Sequence, residues 1–355
     1  LALAGYLREK DPGAEILFVG AERGLERGLV THAGYDFKTV NISSFHRSFK
    51  PKELRHNLIS VRNLLHAERE ANAILDAFRP DLIVGTGGYA SYPIVKCAAQ
   101  KGIPTAVHES NIVPGLTTKM LENFADHIMV GFEDCRRHYK HPEKIAVTGT
   151  PVRGDLFLRT KEEARAALGY TDDKPVVVSF WGSLGATSMN RQMADFMALE
   201  AEKEPFHHIH GAGKNGYPVM LELLREKSVD LADRPALQLR EYIYDMDTVM
   251  RAADLVICRA GASTISELTA LGVPALIVPS PYVTNNHQEK NARVLSDNDG
   301  AVLLLEKDCT AQVVMDEINR LLKDKKAYTA MHDAQMKIAV PDCAERMCAI
   351  MENMI

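Results

Sequence analysis

The chain has 355 residues, more than one ordinary domain and suited to two domains of about 150–200 residues each. Hydrophobic residues make up 46% and charged residues 25%, which is typical of a globular protein and excludes a disordered or fibrous chain. The 42 Lys and Arg residues against 47 Asp and Glu residues give a net charge of −5, so no overall charge attracts nucleic acid. No apolar run approaches the ~18 residues of a membrane span, and no secretory signal is visible.

The cysteines are scattered, with no CxxC pair and no His/Cys cluster at metal-ligand spacing. This pattern predicts reduced thiols in a cytosolic protein and no metal site. The six residues are Cys97, Cys135, Cys258, Cys309, Cys343 and Cys348.

Short apolar runs alternate with amphipathic stretches along the whole chain. The predicted strands are 15–20, 81–86, 104–108, 127–130, 145–148, 175–180, 206–210, 236–240, 254–258, 274–278 and 301–305. The predicted helices include 52–78, 92–101, 115–124, 161–168, 187–202, 215–228, 263–271 and 287–297. Strands that are apolar throughout are buried on both faces of a parallel sheet, so the pattern predicts an α/β, doubly wound architecture.

A break follows Pro151–Gly154, where a charged helix and a polar turn precede a new strand with its own Gly-rich turn. We predict two Rossmann-like domains that face each other across a cleft, at residues 1–153 and 154–338. Residues 339–355 are amphipathic at helical spacing and are predicted to form a helix that packs back on the N-terminal domain.

Three strands run into glycine-containing turns that open helices, at Gly85–Gly88, Gly182–Gly185 and Gly261. Glycine permits close backbone approach, and a helix N-terminus offers free N–H groups to a phosphate. A tight strand–helix connection is the alternative interpretation of each single turn. No GxxxxGK[ST] sequence occurs, so a P-loop ATPase is disfavoured.

The segment Ser263–Glu267 carries a second signal. Ser263 is placed to cap the helix, and the Glu267 carboxylate, one turn in, is suited to accept two hydrogen bonds from a ribose diol. The alternative is that Glu267 only complements the helix dipole.

Two amide-rich runs follow strands, at His108–Asn111 and Thr284–Asn291. Amides both donate and accept, which suits sugar hydroxyls and acetamide groups, although helix capping would also use one residue of each run. His208 and His210 lie in a strand pattern and are interpreted as structural residues.

A local basic region occurs from Phe45 to His66, where five Arg and Lys residues accompany one Glu and several apolar side chains. One interpretation is a solvated helix packed on its domain. The other is a peripheral patch that binds anionic lipid, with each charge contributing about 1 kcal/mol.

Taken in order, these motifs resemble the MurG family of peptidoglycan glycosyltransferases. The matching segments are Ala14–Gly20, Arg23–Glu26, Gly85–Tyr89, His108–Asn111, Pro114–Thr117, Gly149–Arg153, Gly182–Ala186, Cys258–Glu267, His287–Gln288 and Lys290–Ala292. The resemblance extends through nearly the whole chain and is strongest in the second half.

The resemblance implies the GT-B architecture and inverting transfer of N-acetylglucosamine from UDP-GlcNAc to the C4 hydroxyl of MurNAc in lipid I. The product is lipid II, so the implied processes are peptidoglycan synthesis, cell wall biogenesis, cell shape and cell division. The implied location is the cytoplasmic face of the cell membrane, bound peripherally. The implied partners are UDP-GlcNAc, lipid I, anionic membrane through the 45–66 region and cell-wall synthesis proteins, with no nucleic acid and no cofactor.

The resemblance also assigns the donor to the second domain. Ile243 would meet the uracil through its backbone, Glu267 would hold the ribose, and Arg153 would contact the nucleotide. Ser183 and the helix start would take the diphosphate, and Gln288 with Asn111 would hold the sugar. The implied substrate-binding residues are Asn111, Arg153, Ser183, Ile243, Ala262, Ser263, Thr264, Ile265, Ser266, Glu267 and Gln288.

The chain departs from the family pattern at three places. Trp181 replaces the usual glycine and is expected to crowd the loop near Ser183, and Asn285-Asn286 replaces an acidic pair. Leu1–Ala4 matches the helix that follows the family's first Gly-rich loop, whose His is the proposed general base. We therefore expect an N-terminally truncated chain and leave the catalytic residue unassigned.

Two alternatives remain open from the sequence. One is another GT-B enzyme that uses a UDP-sugar, such as a diacylglycerol glycosyltransferase or a UDP-GlcNAc epimerase. The other is a non-catalytic nucleotide-sugar-binding or scaffold protein.

Overall fold

The structure is a computed structural model that describes residues 1–22, 26–42, 51–182 and 185–355, with side chains described except at 51–64 and 284. Its contacts divide the chain into two compact units. Unit 1 comprises Leu1–Pro151 with Asp342–Ile355, and unit 2 comprises Val152–Pro341.

Helices and strands alternate through both units. In the first part of the chain they are α1 (Ala2–Lys10), β1 (Leu17–Ala21), α2 (Glu26–His32), β2 (Asp36–Val40), α3 (Pro51–Phe78), β3 (Ile83–Gly85), α4 (Ser91–Gln100), β4 (Thr105–Glu109), α5 (Leu116–Leu121), β5 (His127–Val130) and β6 (Ile145–Val147). In unit 2 they are α6 (Lys161–Ala167), β7 (Val176–Phe180), α7 (Thr187–Glu200), β8 (His207–Gly211), α8 (Tyr217–Glu226), β9 (Leu237–Arg240), α9 (Met246–Ala252), β10 (Leu255–Cys258), α10 (Ala262–Leu271), β11 (Ala275–Ile277), α11 (His287–Ser296), β12 (Val302–Leu303), α12 (Ala311–Lys323) and α13 (Lys325–Ile338). The last helix, α14 (Cys343–Glu352), belongs to unit 1.

Every predicted strand is present, and β2 is a strand that the sequence analysis missed. The prediction relied on runs that are apolar throughout, whereas β2 alternates between exposed and more buried residues and includes Asp36 and Lys38. It pairs with β1 in a two-stranded parallel sheet and is covered less completely than the central strands. The alternation is the period-2 pattern of a half-buried strand.

Unit 1 also contains a four-stranded parallel sheet in the order β3-β4-β5-β6. Strand β4 is buried at every residue, as expected for a strand covered on both faces. The amphipathic helix α14 packs its Met347 side chain against Ala106 of β4 and Met129 of β5. Lys10 and Glu352 form an ion pair that joins α1 to α14, with the two charged atoms 2.5 Å apart.

Unit 2 contains a six-stranded sheet in the order β12-β11-β10-β7-β8-β9, with all neighbouring strands parallel. The chain starts at β7, moves outward through β8 and β9, and then returns to the other side of β7 for β10, β11 and β12. This is the doubly wound order, and the direction of winding reverses between β7 and β10. Ligands of such sheets bind beyond the carboxyl ends of the strands at this switch point.

All six cysteines are buried free thiols, in agreement with the reduced state expected from their spacing.

No helix in the described part of the chain has both the length and the apolar character needed to cross a membrane.

A buried chain of polar side chains crosses the core of unit 2. His208 Nδ1 lies 2.6 Å from Glu200 Oε1, and Ser179 Oγ lies 2.7 Å from His208 Nε2 and 2.6 Å from His210 Nδ1. These three distances are all hydrogen bonds if His208 donates to Glu200, Ser179 donates to His208, and His210 donates to Ser179. His208 and His210 are thus structural residues of the core, as the sequence analysis interpreted them.

This chain predicts a pH dependence of stability. Burial, with a contribution from the neighbouring His208, lowers the pKa of His210 to about 3, against an ordinary value of about 6.5. Below about pH 6.5 the His210 imidazole binds a proton in the unfolded state but stays neutral in the folded state. The free energy of unfolding therefore falls as the pH decreases toward about 3. We expect this group to contribute a slope of up to about 1.4 kcal/mol per pH unit.

The measurement is urea unfolding between about pH 7.5 and pH 5, followed through Trp181, the single tryptophan, which reports on unit 2. The His210→Leu variant should show a shallower decline than the wild type. Equal slopes for the two proteins would contradict the assignment.

Candidate functional site

The turn after β7 lies at the switch point of the unit 2 sheet. Gly182 and Gly185 adopt left-handed φ angles of 86° and 70°. A Cβ atom on Gly185 would lie only 2.4 Å from the Ala212 carbonyl oxygen, so no other residue fits there. Ser183, which was predicted to take the diphosphate, lies outside the described residues, as does Leu184, so the expected crowding by Trp181 near Ser183 stays a prediction.

The second turn at the switch point follows β10 and opens α10. The helix begins at Ala262 with Gly261 as its N-cap residue, and the described side chains provide no hydrogen bond that caps it. The prediction that Ser263 caps this helix is therefore wrong, because extended Gly261 occupies the cap and Ser263 is already helical and exposed. The first intrahelical bond runs from Ile265 N–H to the Gly261 carbonyl, so the preceding N–H groups are free to bind an anion.

The predicted residues on α10 divide into two groups. Ala262 and Ile265 have buried side chains that pack into the core, so only their backbone groups can serve a ligand. Ser263 is exposed, and Thr264 and Ser266 are half-buried. The Ser266 hydroxyl donates to the Ala262 carbonyl over 3.1 Å, which uses its proton within the helix.

Glu267 is half-buried on α10 near two further charges. Burial raises the pKa of its carboxyl group, the Arg153 guanidinium opposes the increase, and Asp155 adds to it. Arg153 is also 3.6 Å from the Asp155 carboxylate. The first turn of α10, all of whose residues are described, contains no acidic side chain, so Glu267 lies beyond the reach of a simple dipole interaction.

The carboxyl end of β8 packs against Ile243, the residue predicted to meet the uracil. A Cβ atom on Gly211 would lie 3.1 Å from Ile243 Cδ1, so the side chain is held against the strand end. Ile243 is buried, which agrees with a contact through its backbone. Its neighbours Tyr242 and Tyr244 are exposed, and their ring centroids are 4.9 Å apart.

Gln288 stands in the first turn of α11, which follows β11. Its Oε1 accepts a hydrogen bond of 2.8 Å from the Ser280 backbone N–H, which commits the amide oxygen to the turn after β11. Asn291, from the same amide-rich run, is fully buried and donates to the Ala260 carbonyl over 3.2 Å. Asn291 therefore ties α11 to the turn before α10.

In unit 1, the buried Glu109 carboxylate organises the loop that carries Asn111. It accepts hydrogen bonds from Asn111 N–H and Nδ2 (both 3.0 Å), Gly115 N–H (2.8 Å) and the Thr118 hydroxyl (2.6 Å). Hence one oxygen fixes Asn111 and the other fixes the start of α5.

Neighbouring His108 is buried, and its Nε2 is 2.9 Å from the Gly149 carbonyl, to which it must donate.

Among the residues that the structure describes, no three His, Cys, Asp or Glu side chains come together as a group that could hold a metal ion.

The comparisons with known proteins match this architecture in both units. The model of the glycosyltransferase family 28 N-terminal domain matches residues 1–130, and that of the C-terminal domain matches residues 176–347. A protein of Acetivibrio thermocellus is 38% identical over 355 residues, which cover 100% of this chain and 94% of that protein. A protein of Thermoanaerobacter sp. is 39% identical over 353 residues, covering 99% of this chain and 95% of that protein. Both are named UDP-N-acetylglucosamine–N-acetylmuramyl-(pentapeptide) pyrophosphoryl-undecaprenol N-acetylglucosamine transferase.

The chain belongs to the MurG family of glycosyltransferases. Among solved structures, Acinetobacter baumannii MurG matches with a TM-score of 0.71 and 24% identity, covering 99% of this chain and 94% of that one. A UDP-GlcNAc 2-epimerase from Neisseria meningitidis, bound to UDP-GlcNAc, matches with a TM-score of 0.66 and 14% identity, covering 99% of this chain and 95% of that one. These two likenesses concern the fold, and they agree with the predicted two-domain α/β GT-B class.

The structure places most of the residues implied by the MurG resemblance at one edge of unit 2. Glu267, Ile243 and Gln288 each follow the carboxyl end of a parallel strand, whereas Asn111 follows β4 in unit 1. Their roles in binding substrate stay predictions.

Sequence reasoning missed two charged residues at the same edge of unit 2. Arg259 directly follows β10, and Glu306 lies beyond β12, and together they form a largely buried ion pair of 2.7 Å. The sequence feature that could have indicated this pair is an Arg directly after an apolar strand, because a buried guanidinium requires an acidic partner.

The Glu109 contacts predict a large structural effect in unit 1. The Glu109→Ala variant should lose about 2–4 kcal/mol of unfolding free energy, because the donors on Asn111 and Gly115 and the buried Thr118 hydroxyl lose a charged acceptor. Urea unfolding followed by circular dichroism measures the change. The control is Glu133→Ala, which removes an exposed carboxylate paired with Arg136 and should cost less than about 1 kcal/mol. Similar losses in the two variants would contradict the anchoring role.

Proposed function

We propose that this chain transfers N-acetylglucosamine from UDP-GlcNAc to the C4 hydroxyl of MurNAc in lipid I, giving lipid II with inversion at the anomeric carbon. Membership of the MurG family supports the reaction, because relatives that share 38–39% identity over essentially the whole chain carry the name of this transferase. The product is a precursor of peptidoglycan.

The observation that supports a nucleotide donor in unit 2 is the arrangement at the switch point. Two helices, α7 and α10, begin there after glycine-containing turns, and the Glu267 carboxylate lies one and a half turns into α10. N–H groups and positive dipole ends suit a diphosphate, and a carboxylate suits a ribose diol. Ile243 supplies backbone groups for the base, and the Gln288 amide is assigned to the sugar.

Charge stabilisation at this edge accounts for the departure of UDP. Negative charge builds on the diphosphate as the glycosidic bond breaks. Hydrogen-bond donors that the fold already holds in place stabilise this charge without the cost of reorganisation. In our proposal the N–H groups at the start of α10 and the Arg153 guanidinium provide this stabilisation. The proposal assigns no cofactor.

The acceptor hydroxyl also needs a base that removes its proton. His108 is unsuited to this role although it stands beside the Asn111 loop. Burial lowers the pKa of its imidazole, and its Nε2 proton is committed to the Gly149 carbonyl. None of the candidate residues is assigned as the base.

The donor assignment predicts a specific effect of Glu267. Calorimetry should detect binding of UDP and UDP-GlcNAc to the wild type, and Glu267→Gln should weaken both by about tenfold, because an amide offers one acceptor oxygen where a carboxylate offers two. The control is Glu162→Gln, an exposed carboxylate on α6 of the same unit, which should bind as the wild type does. Unchanged affinity in Glu267→Gln would remove the ribose assignment.

Turnover separates the proposed transfer from the alternatives. With UDP-GlcNAc and a lipid I analogue, we expect a disaccharide product with inverted linkage. Formation of UDP-N-acetylmannosamine instead would identify an epimerase, and transfer to diacylglycerol would identify a glycolipid synthase. Donor binding with none of these products would favour a nucleotide-sugar-binding protein.

We also propose that the chain acts at the cytoplasmic face of the cell membrane, where its lipid-linked acceptor resides, and that it binds there peripherally. The sequence from Phe45 to His66 supports this, since five basic residues and one acidic residue are interleaved with apolar side chains. Residues 45–50 of this segment lie outside the described residues, and the side chains of 51–64 are not described. The proposal therefore rests on its composition.

Liposome pelleting tests the basic segment. The wild type should pellet with anionic vesicles and dissociate as the salt concentration rises, and Arg47→Glu with Lys50→Glu should reduce pelleting because each replacement changes the local charge by two units. The control is Lys325→Glu with Lys326→Glu, an exposed basic pair on unit 2 that undergoes the same charge change. An equal loss in the two double variants, or none in either, would contradict a membrane contact at this segment.

A further inference from the structure

The Glu306 carboxylate joins two elements that lie on opposite sides of the switch point in unit 2. Its Oε1 accepts a 2.7 Å hydrogen bond from the Ser188 hydroxyl, and its Oε2 lies 2.7 Å from Arg259 Nη2. Ser188 is the second residue of α7, which follows β7, and Arg259 directly follows β10. One side chain therefore connects the two strand ends between which the winding reverses.

Arg259 is itself held from several directions. Its Nη1 donates to the Val278 carbonyl, just beyond β11, over 3.0 Å, and its guanidinium carbon is 5.7 Å from the centroid of the Trp181 ring. The Arg259 and Glu306 side chains are only 8% and 13% exposed, so the ion pair is weakly screened by solvent. Arg259, at the end of β10, is thus held in position by Trp181 at the end of β7 and by Val278 at the end of β11.

The pairing also removes an electrostatic conflict. An unpaired carboxylate beside the N-terminus of α7 would place a negative charge where an anionic ligand needs positive potential. With Arg259 against it, Glu306 contributes no net charge to this edge, and the helix N-termini remain available to a phosphate.

From these contacts we propose that Glu306 is a positioning residue of the donor site. It fastens the first turn of α7 to the end of β10, so that the N-termini of α7 and α10 keep the separation that one diphosphate requires. The inference rests on the proposed function, because it takes the nucleoside diphosphate as the ligand of this edge. Glu306 acts through Ser188 and Arg259 and does not itself contact the ligand.

Ser188→Ala is the sharpest test, since it removes the connection to α7 and leaves the Arg259–Glu306 pair intact. Ser188 is exposed, so the variant should fold. We expect its affinity for UDP to fall by about 3–10-fold, the effect of losing one hydrogen bond to a charged group, with unchanged affinity for uridine, which lacks the diphosphate. The control is Ser296→Ala, which changes a half-buried helical serine whose hydroxyl donates to Asp297 over 3.4 Å, and this variant should bind both ligands normally.

Glu306→Gln provides a second, stronger perturbation, because an amide is uncharged and has one acceptor oxygen, so it cannot accept from both Arg259 and Ser188. We expect a larger loss of UDP affinity than in Ser188→Ala. In turnover, KM for UDP-GlcNAc should rise several-fold while kcat stays within about twofold, the pattern of lost ground-state binding. Thermal unfolding of each variant establishes that the protein is folded at the assay temperature.

The possible results separate this inference from the proposed function. Variants that melt earlier but bind UDP as tightly as the wild type would show that Glu306 is only structural, and the inference would be wrong. Equal losses for uridine and UDP would also overturn it, since the diphosphate would not be the moiety affected. Failure of the wild type to bind UDP would remove the donor site itself, and both proposals with it.

Discussion

The parallel pairing of the six strands in unit 2 is the constraint from which its functional edge follows. Parallel strands need helical crossovers, and crossovers on both faces bury the strands and bring every carboxyl end to the same edge. Because the winding reverses between β7 and β10, their helices diverge and leave the strand ends open to a ligand. Glycine is needed at Gly185, where the backbone passes the Ala212 carbonyl too closely for any side chain.

Charged groups at this edge are held in pairs or small clusters. Arg259 and Glu306 neutralise each other between the first turn of α7 and the end of β10, and Arg153 lowers the cost of an ionised Glu267 beside Asp155. A buried ion pair contributes little net stability, since desolvation offsets the attraction, but removing one partner is costly. Such pairs are therefore better explained by the geometry that they impose on their neighbours than by the stability that they provide.

Much of this architecture was predictable from local sequence. The central strand β10 is a continuous apolar run and β7 is apolar except for Ser179, and their length distinguishes them from helices. β2 was missed because its alternating pattern resembles a surface segment. The start of α10 was misplaced at Ser263, because Gly261 and a serine are both acceptable N-cap residues and only the backbone angles decide between them. The burial of Ala262 and Ile265 likewise depends on which helix face meets the sheet.

The sequence by itself determined the α/β class, the order of the glycine turns and the MurG family, because each rests on residues close together in the chain or on motifs in a fixed order. Only the tertiary structure decided the contacts between distant residues. Ser188 and Glu306 are 118 positions apart, and Arg259 and Glu306 are 47 apart. No periodicity connects residues at such separations, since the packing of strands and crossovers alone determines which strand ends become neighbours.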